Sequence, residues 1–152
     1  MLSRSRAAAL SRQLSGRGNT VVFTNGCFDI VHPGHVHVLR TARSFGDVLF
    51  VGVNTDDSVR RLKGSGRPVT PLQDRMTVLS EFRSVDYLIP FDEDTPLALI
   101  REIRPRILVK GGDYTRDSVV GADQVTEDGG RVVIVPILKG YSTTGLINEM
   151  EN

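Results

Sequence analysis

A single α/β domain built on a doubly wound, five-stranded parallel sheet is the fold this chain predicts, and three features of the sequence predict it. Short apolar or β-branched runs alternate with segments of helical period, the pattern of β-α units joined in series. The run 48–53 is apolar throughout and 107–111 is apolar up to its last two residues, as befits strands covered on both faces. Each stretch rich in polar chemistry begins where such a run ends, on the side where parallel sheets hold ligands.

The 152 residues are one domain's worth of chain, enough to bury roughly 70% of the unfolded surface. Hydrophobic residues at 39% and charged residues at 24% exclude disordered and fibrous classes. A net charge of +1 offers no electrostatic case for a nucleic-acid partner. Cys27 is the only cysteine, so no disulfide forms within the chain and a reducing cytoplasm is the expected location. No run approaches the eighteen or so apolar residues of a membrane span, and no membrane partner is expected.

Residues 1–19 form a leading segment, read as a short helix, ahead of a domain over 20–152. The first strand is expected at about 20–24, where Val21 to Thr24 are β-branched and aromatic. A helix follows from Pro33, which suits a first helical turn because its missing N–H is unneeded there. Val36, Leu39, Ala42 and Phe45 make its apolar face, and Gly46-Asp47 end it. The strand 48–53 leads through Asn54-Thr-Asp-Asp57, a capping sequence, into a short helix ending at Leu62. A helix over 71–82, a strand over 86–90 and a helix over 95–103, capped by Asp94 or Thr95, come next. The strands 107–111 and 131–136 complete the sheet, and a last helix starts at Ser142.

The stretch between the first strand and its helix organises the rest. The strand breaks at Asn25-Gly26, and His32-Pro-Gly-His35 heads the helix, so that all three histidines fall within six residues. Two imidazoles three residues apart on a first turn point to one side and can both donate to one phosphate chain. His37 projects from another face. The turn is neither a dinucleotide fingerprint nor a Walker loop, and Zn²⁺ lacks a third ligand of fitting spacing. Lys63 and Arg67 stand in a Gly-Ser-Gly loop, 63–70, that could close on a triphosphate. Lys110-Gly-Gly-Asp-Tyr114 lets a base approach the backbone closely. Gly140-Tyr-Ser-Thr-Thr144 offers a capped helix start with hydroxyl and N–H donors for an anion.

Gly26-Cys-Phe-Asp-Ile-Val-His-Pro-Gly-His35 resembles the H-x-G-H signature of the cytidylyltransferase-like nucleotidyltransferases, and Gly140-Tyr-Ser-Thr-Thr144 resembles their second signature. The match runs from about 20 to 147. Within the family, Gly52 to Gly64, Gly66-Arg-Pro-Val69, Pro90-Phe-Asp-Glu-Asp-Thr-Pro96 and Val109 to Tyr114 are most similar to its heptose 1-phosphate adenylyltransferase branch. Ile137, where glycerol-phosphate cytidylyltransferases usually carry Arg, argues against cytidylyl transfer.

The resemblance implies a Rossmann-like fold and transfer of AMP from ATP to a sugar 1-phosphate, D-glycero-β-D-manno-heptose 1-phosphate, with release of pyrophosphate. It implies catalytic roles for His32, His35 and Lys63. Nucleotide contacts are implied for Asn25, Gly26, Phe28, Gly34, Lys110, Gly112, Asp113, Tyr141, Ser142, Thr143 and Thr144, and acceptor contacts for Asp29, Asp56, Arg67 and Arg75. Arg75 could equally be an ordinary exposed helix arginine. Mg²⁺ is expected on the ATP phosphates and on no protein metal site. A homodimer is implied as a possible assembly, and a sugar kinase separate from these residues is implied as the source of the acceptor's phosphate.

Overall fold

A computed structural model describes residues 1–136 and 138. Its elements are α1 (Arg4–Gly16), β1 (Val21–Gly26), α2 (Pro33–Ser44), β2 (Val48–Asn54), α3 (Asp56–Lys63), α4 (Leu72–Ser80), β3 (Tyr87–Phe91), α5 (Leu97–Ile103), β4 (Ile107–Gly111), α6 (Ala122–Glu127) and β5 (Arg131–Val135). The five strands pair in the order β3-β2-β1-β4-β5, parallel throughout. β1 is central, and the order reverses there, because the chain winds outward first through β2 and β3 and then through β4 and β5. That switch point opens a crevice above the carboxyl ends of β1 and β4.

Alternation along the strands sorts the core into two layers. Val21, Phe23, Phe50, Ile89 and Leu108 face α5 and the Val119–Val125 segment, with Ala7 of α1 in the same layer. Val22, Leu49, Val51, Leu88 and Val109 face the other way, against Leu39 and Ala42 of α2 and Met76 and Leu79 of α4. All seven residues of β2 are buried, as its unbroken apolar run requires.

The leading helix is part of this packing. Ser3 caps it by accepting from the Arg6 N–H, and Ser11 Oγ donates to the Ile103 carbonyl at 2.6 Å inside the core. Arg4 pairs with Glu102 at 2.8 Å and also with Glu93. No helix among the described residues is long and apolar enough to cross a membrane.

Three expectations need correction. Val36 does not face the core: it is 37% exposed, and Gly34, Leu39 and Ala42 are the buried face of α2. Arg75 is not an exposed helix arginine, since only 1% of it is accessible. The stretch 112–130, to which no element was assigned, holds a 3₁₀ turn at Arg116–Ser118 and the helix α6. α6 has only six residues, too few for a periodic signal to stand out. The strand ends shift by a residue or two, and β4 runs over the expected 107–111. The expected final helix lies outside the described residues.

Candidate active site

A cleft of about 400 Å³ lies over the carboxyl ends of β1, β2 and β4. Its floor is the exit of β1, where Thr24, Asn25, Gly26, Cys27, Phe28 and Asp29 all line it. Phe28 takes a left-handed backbone, φ 50°, which turns the chain sharply out of the strand. That turn buries its ring, 5% exposed, against His35 with ring centroids 5.1 Å apart.

The histidine pair forms because Pro33 starts α2 one residue after His32. His32 is the N-cap, with extended backbone, and His35 sits on the first turn. Their rings stack with centroids 3.9 Å apart and planes 24° from parallel. Nδ1 of each ring is buried with no hydrogen-bond partner among the described residues. Nε2 is therefore the edge that each ring offers to a ligand. Burial, then the neighbouring His32, then the Lys63 ammonium push His35 down to about 4, and burial lowers His32 as well. Both rings are neutral near pH 7, and a neutral ring with its proton on Nε2 donates to a phosphate oxygen from that edge.

Cations surround the pair. Lys63 closes α3 and lines the cleft, as do Arg67 and Lys110. Lys110 stands 5.4 Å above the Tyr114 ring, and burial lowers its ammonium pKa. No carboxylate pairs with it among the described residues, so a bound phosphate would supply its counter-charge. Gly111 beside it has no room for a side chain, since a Cβ would lie 2.5 Å from Val38 Cγ2 of α2. Gly112 has φ 137°, and a Cβ there would meet the Tyr114 ring at 2.7 Å.

The resemblance put Asp29, Asp56, Arg67 and Arg75 against the acceptor, and the structure joins them in two ion pairs. Asp29 is 3% exposed and accepts from Val69 N at 2.8 Å, from Thr70 N at 3.0 Å and from Arg67 Nε. Its carboxylate thus pins the loop after α3 to the exit of β1. Arg75 reaches from α4 to the Thr70 and Cys27 carbonyls and to Asp56 Oδ1 at 2.8 Å. Neither Asp56 nor Arg75 lines the cleft; Asp29 and Arg67 do.

Other expected residues divide similarly. Asn25, Gly26, Phe28, His35, Lys63 and Lys110 line the cleft. His32 and Gly34, at the start of α2, are not among the lining residues, and Gly112 and Asp113 lie just past the lining at the exit of β4. Tyr141, Ser142, Thr143 and Thr144 lie outside the described residues. Sequence reasoning missed Asn54, Leu62, Asp94, Thr95 and Tyr114 as lining residues. Asn54 ends β2, and Asp94 and Thr95 follow β3, the signal that could have found them, but they read there as caps and turns. Cys27 lines the cleft with its thiol 3.9 Å from Asn54 Oδ1, and burial raises its pKa, which keeps it a thiol.

Among the described residues no group of three or more His, Cys, Asp or Glu side chains is arranged to hold a metal ion. What the cleft presents is a cluster of hydrogen-bond donors and cations beside neutral imidazoles, with Arg67 paired to Asp29 and Lys63 and Lys110 without a carboxylate partner among the described residues, suited to a chain of phosphates.

Comparison with known proteins agrees with this chemistry. A family model described as cytidylyltransferase-like matches residues 23–146. The chain is 53% identical over 135 residues to the bifunctional protein HldE of Coxiella burnetii, covering 89% of this chain and 28% of that protein. It is 55% identical over 150 residues to HldE of Mesorhizobium japonicum, covering 99% of this chain and 30% of that one. The chain therefore spans less than a third of the length of these relatives. Among solved structures, the lipopolysaccharide core biosynthesis protein of Thermoplasma volcanium superposes with a TM-score of 0.64 at 31% identity, covering 82% of this chain and 100% of that one. The pantoate-beta-alanine ligase of Francisella tularensis reaches 0.63 at 14% identity, covering 99% of this chain and 76% of that one, a likeness of fold alone. With the stacked histidines at the switch point of the sheet and a family model over most of its length, the chain belongs to the cytidylyltransferase-like family and is a nucleotidyltransferase.

Proposed function

We propose that this nucleotidyltransferase transfers AMP from ATP to a sugar 1-phosphate, D-glycero-β-D-manno-heptose 1-phosphate, giving ADP-heptose and pyrophosphate. The observation that carries the chemistry is His35, which lines the cleft with Lys63, Arg67 and Lys110 and stacks on His32 with ring centroids 3.9 Å apart. The choice of acceptor rests on the HldE proteins of Coxiella burnetii and Mesorhizobium japonicum, more than 50% identical to this chain, and on the sequence blocks of the heptose branch.

A sugar 1-phosphate is anionic near neutral pH, so its oxygen attacks the α-phosphorus of ATP in line without a base. The new P–O bond forms as the bond from the α-phosphorus to the α-β bridging oxygen breaks, and pyrophosphate leaves with the electron pair. Nothing in the step needs a covalent enzyme intermediate, and Cys27 has no part in it. Nε2–H of His32 and His35 donates to the triphosphate and to the oxygens on which charge accumulates. Lys63 and Lys110 add positive charge from the two sides of the cleft. Arg67, held at its edge by Asp29, takes the acceptor's phosphate, and the hydroxyls of Ser142, Thr143 and Thr144 hold the leaving pyrophosphate. Mg²⁺ enters as the chelate of the ATP phosphates and neutralises part of their charge. A sugar kinase supplies the acceptor, the reaction runs in the cytoplasm, and a homodimer is the proposed assembly.

Pyrophosphate release measured with each of four nucleoside triphosphates against sugar, polyol and flavin phosphates tests the reading. ATP with the heptose 1-phosphate should stand alone. Turnover with CTP and glycerol 3-phosphate in its place would replace it with cytidylyl transfer, and nucleotide binding without turnover in every pairing would replace it with a binding module.

A further inference from the structure

We propose that Asp94, with the neighbouring Thr95 hydroxyl, is the specificity-determining group that reads the hydroxyls of the acceptor sugar; this rests on the adenylyl-transfer reading above.

Among the described residues two carboxylates line the cleft, Asp29 and Asp94. Asp29 has both oxygens occupied by the 67–70 loop. Asp94 has one oxygen fixed and one free. Arg61 Nε donates to Asp94 Oδ1 at 2.8 Å, and the same guanidinium holds the Asp92 carbonyl two residues earlier. Arg61 belongs to α3, whose last turn also supplies Leu62 and Lys63 to the cleft, so the helix fixes the β3–α5 connection relative to the cationic wall. Oδ2 of Asp94 and the hydroxyl of Thr95 take no hydrogen bond among the described residues, while both side chains belong to the lining.

Charge decides what fits there. The triphosphate and the acceptor phosphate are polyanionic and belong against Lys63, Arg67 and Lys110; beside Asp94 they would be repelled. The part of a ligand that reaches Asp94 must be a neutral hydrogen-bond donor, and a run of sugar hydroxyls is one. An orientated carboxylate accepts from such hydroxyls, and Thr95 can both donate and accept. Leu62, 48% exposed at this end of the cleft, gives the C–H face of a sugar ring an apolar contact.

The test is steady-state kinetics of the full chain with ATP and heptose 1-phosphate, comparing wild type with Asp94→Ala and Asp94→Asn. Removing a hydrogen bond to a charged group should raise the KM for heptose 1-phosphate roughly tenfold to hundredfold. Asp94→Asn, which keeps one acceptor oxygen, should fall between, and the KM for ATP should stay within about twofold. A side chain that serves only to hold the 92–96 segment would shift both constants together. An unchanged sugar-phosphate KM in Asp94→Ala overturns the assignment. A raised KM for ATP alone overturns it too, by placing the ribose diol there. Wild-type protein with no turnover on any sugar phosphate defeats the function reading itself, and this assignment with it.

Discussion

Arg67 and Asp29 form a nearly buried ion pair whose side chains are 15% and 1% exposed, across a gap of 38 residues in sequence. The carboxylate also accepts two backbone N–H groups of the same loop, so its removal frees three donors at once. Losing one partner of a buried pair costs about 3–5 kcal/mol. Asp29→Ala should therefore lower unfolding free energy in urea by roughly that amount and expose the loop to trypsin after Lys63, the Arg67–Pro68 bond itself being resistant to that protease. Unaltered stability together with a protected loop would show that Asp29 is no anchor.

His35 gives the fold a defined acid sensitivity. Its folded value near 4 lies below the ordinary 6.5, so between those two values the unfolded chain binds more protons than the folded one. Stability is complete above about pH 6.5 and is lost as the pH falls toward 4, by roughly 3 kcal/mol in all. The slope of unfolding free energy against pH over this window should flatten in His35→Gln. A slope equal in the variant and the wild type would assign the acid loss to other groups.

In the proposed transfer reaction, His35→Ala would remove a donor assigned to act most strongly on the transition state. We expect kcat to fall about 10²–10³-fold, with ATP affinity changed far less. Single-turnover rates alongside equilibrium ATP titration separate these effects. Wild-type turnover in the variant, or a loss confined to ATP affinity, would remove His35 from the chemistry.

Arg75 illustrates what the sequence hides. Pro-x-x-x-Arg on an amphipathic helix reads as an exposed or substrate-facing arginine, yet the guanidinium is buried against Asp56 and two carbonyls. Its partners come from positions 27, 56 and 70, which no local pattern can bring together. Arg75→Ala should cost about 3–5 kcal/mol of stability, because Asp56 loses its partner and two carbonyls lose their donor. Thermal unfolding decides the matter; intact stability with a raised acceptor KM would return Arg75 to substrate binding.

Elsewhere the chain was more legible. The β2 run is apolar throughout because both faces of that strand are covered, and its assignment needed no tertiary information. His32 and His35 were legible as a pair because three residues on a helical turn fix their relative direction whatever else the fold does. Val36 misled because its apolar spacing matches Leu39, while the sheet meets α2 along a line through Gly34 and Leu39. Asp94 and Thr95 were read as a cap for α5, although Pro96 is its N-cap and makes no side-chain hydrogen bond, which leaves the two polar residues facing the cleft. Such residues enter the site through the order of the strands, a property of the whole sheet.

The most direct test follows the phosphorus atoms themselves. ³¹P NMR of the protein with MgATP and D-glycero-β-D-manno-heptose 1-phosphate should show pyrophosphate and a new diphosphate diester growing together in one-to-one ratio as the sugar phosphate disappears. Formation of ADP with a phosphorylated acceptor, or a sugar phosphate left untouched while ATP is consumed, would contradict nucleotidyl transfer to this acceptor.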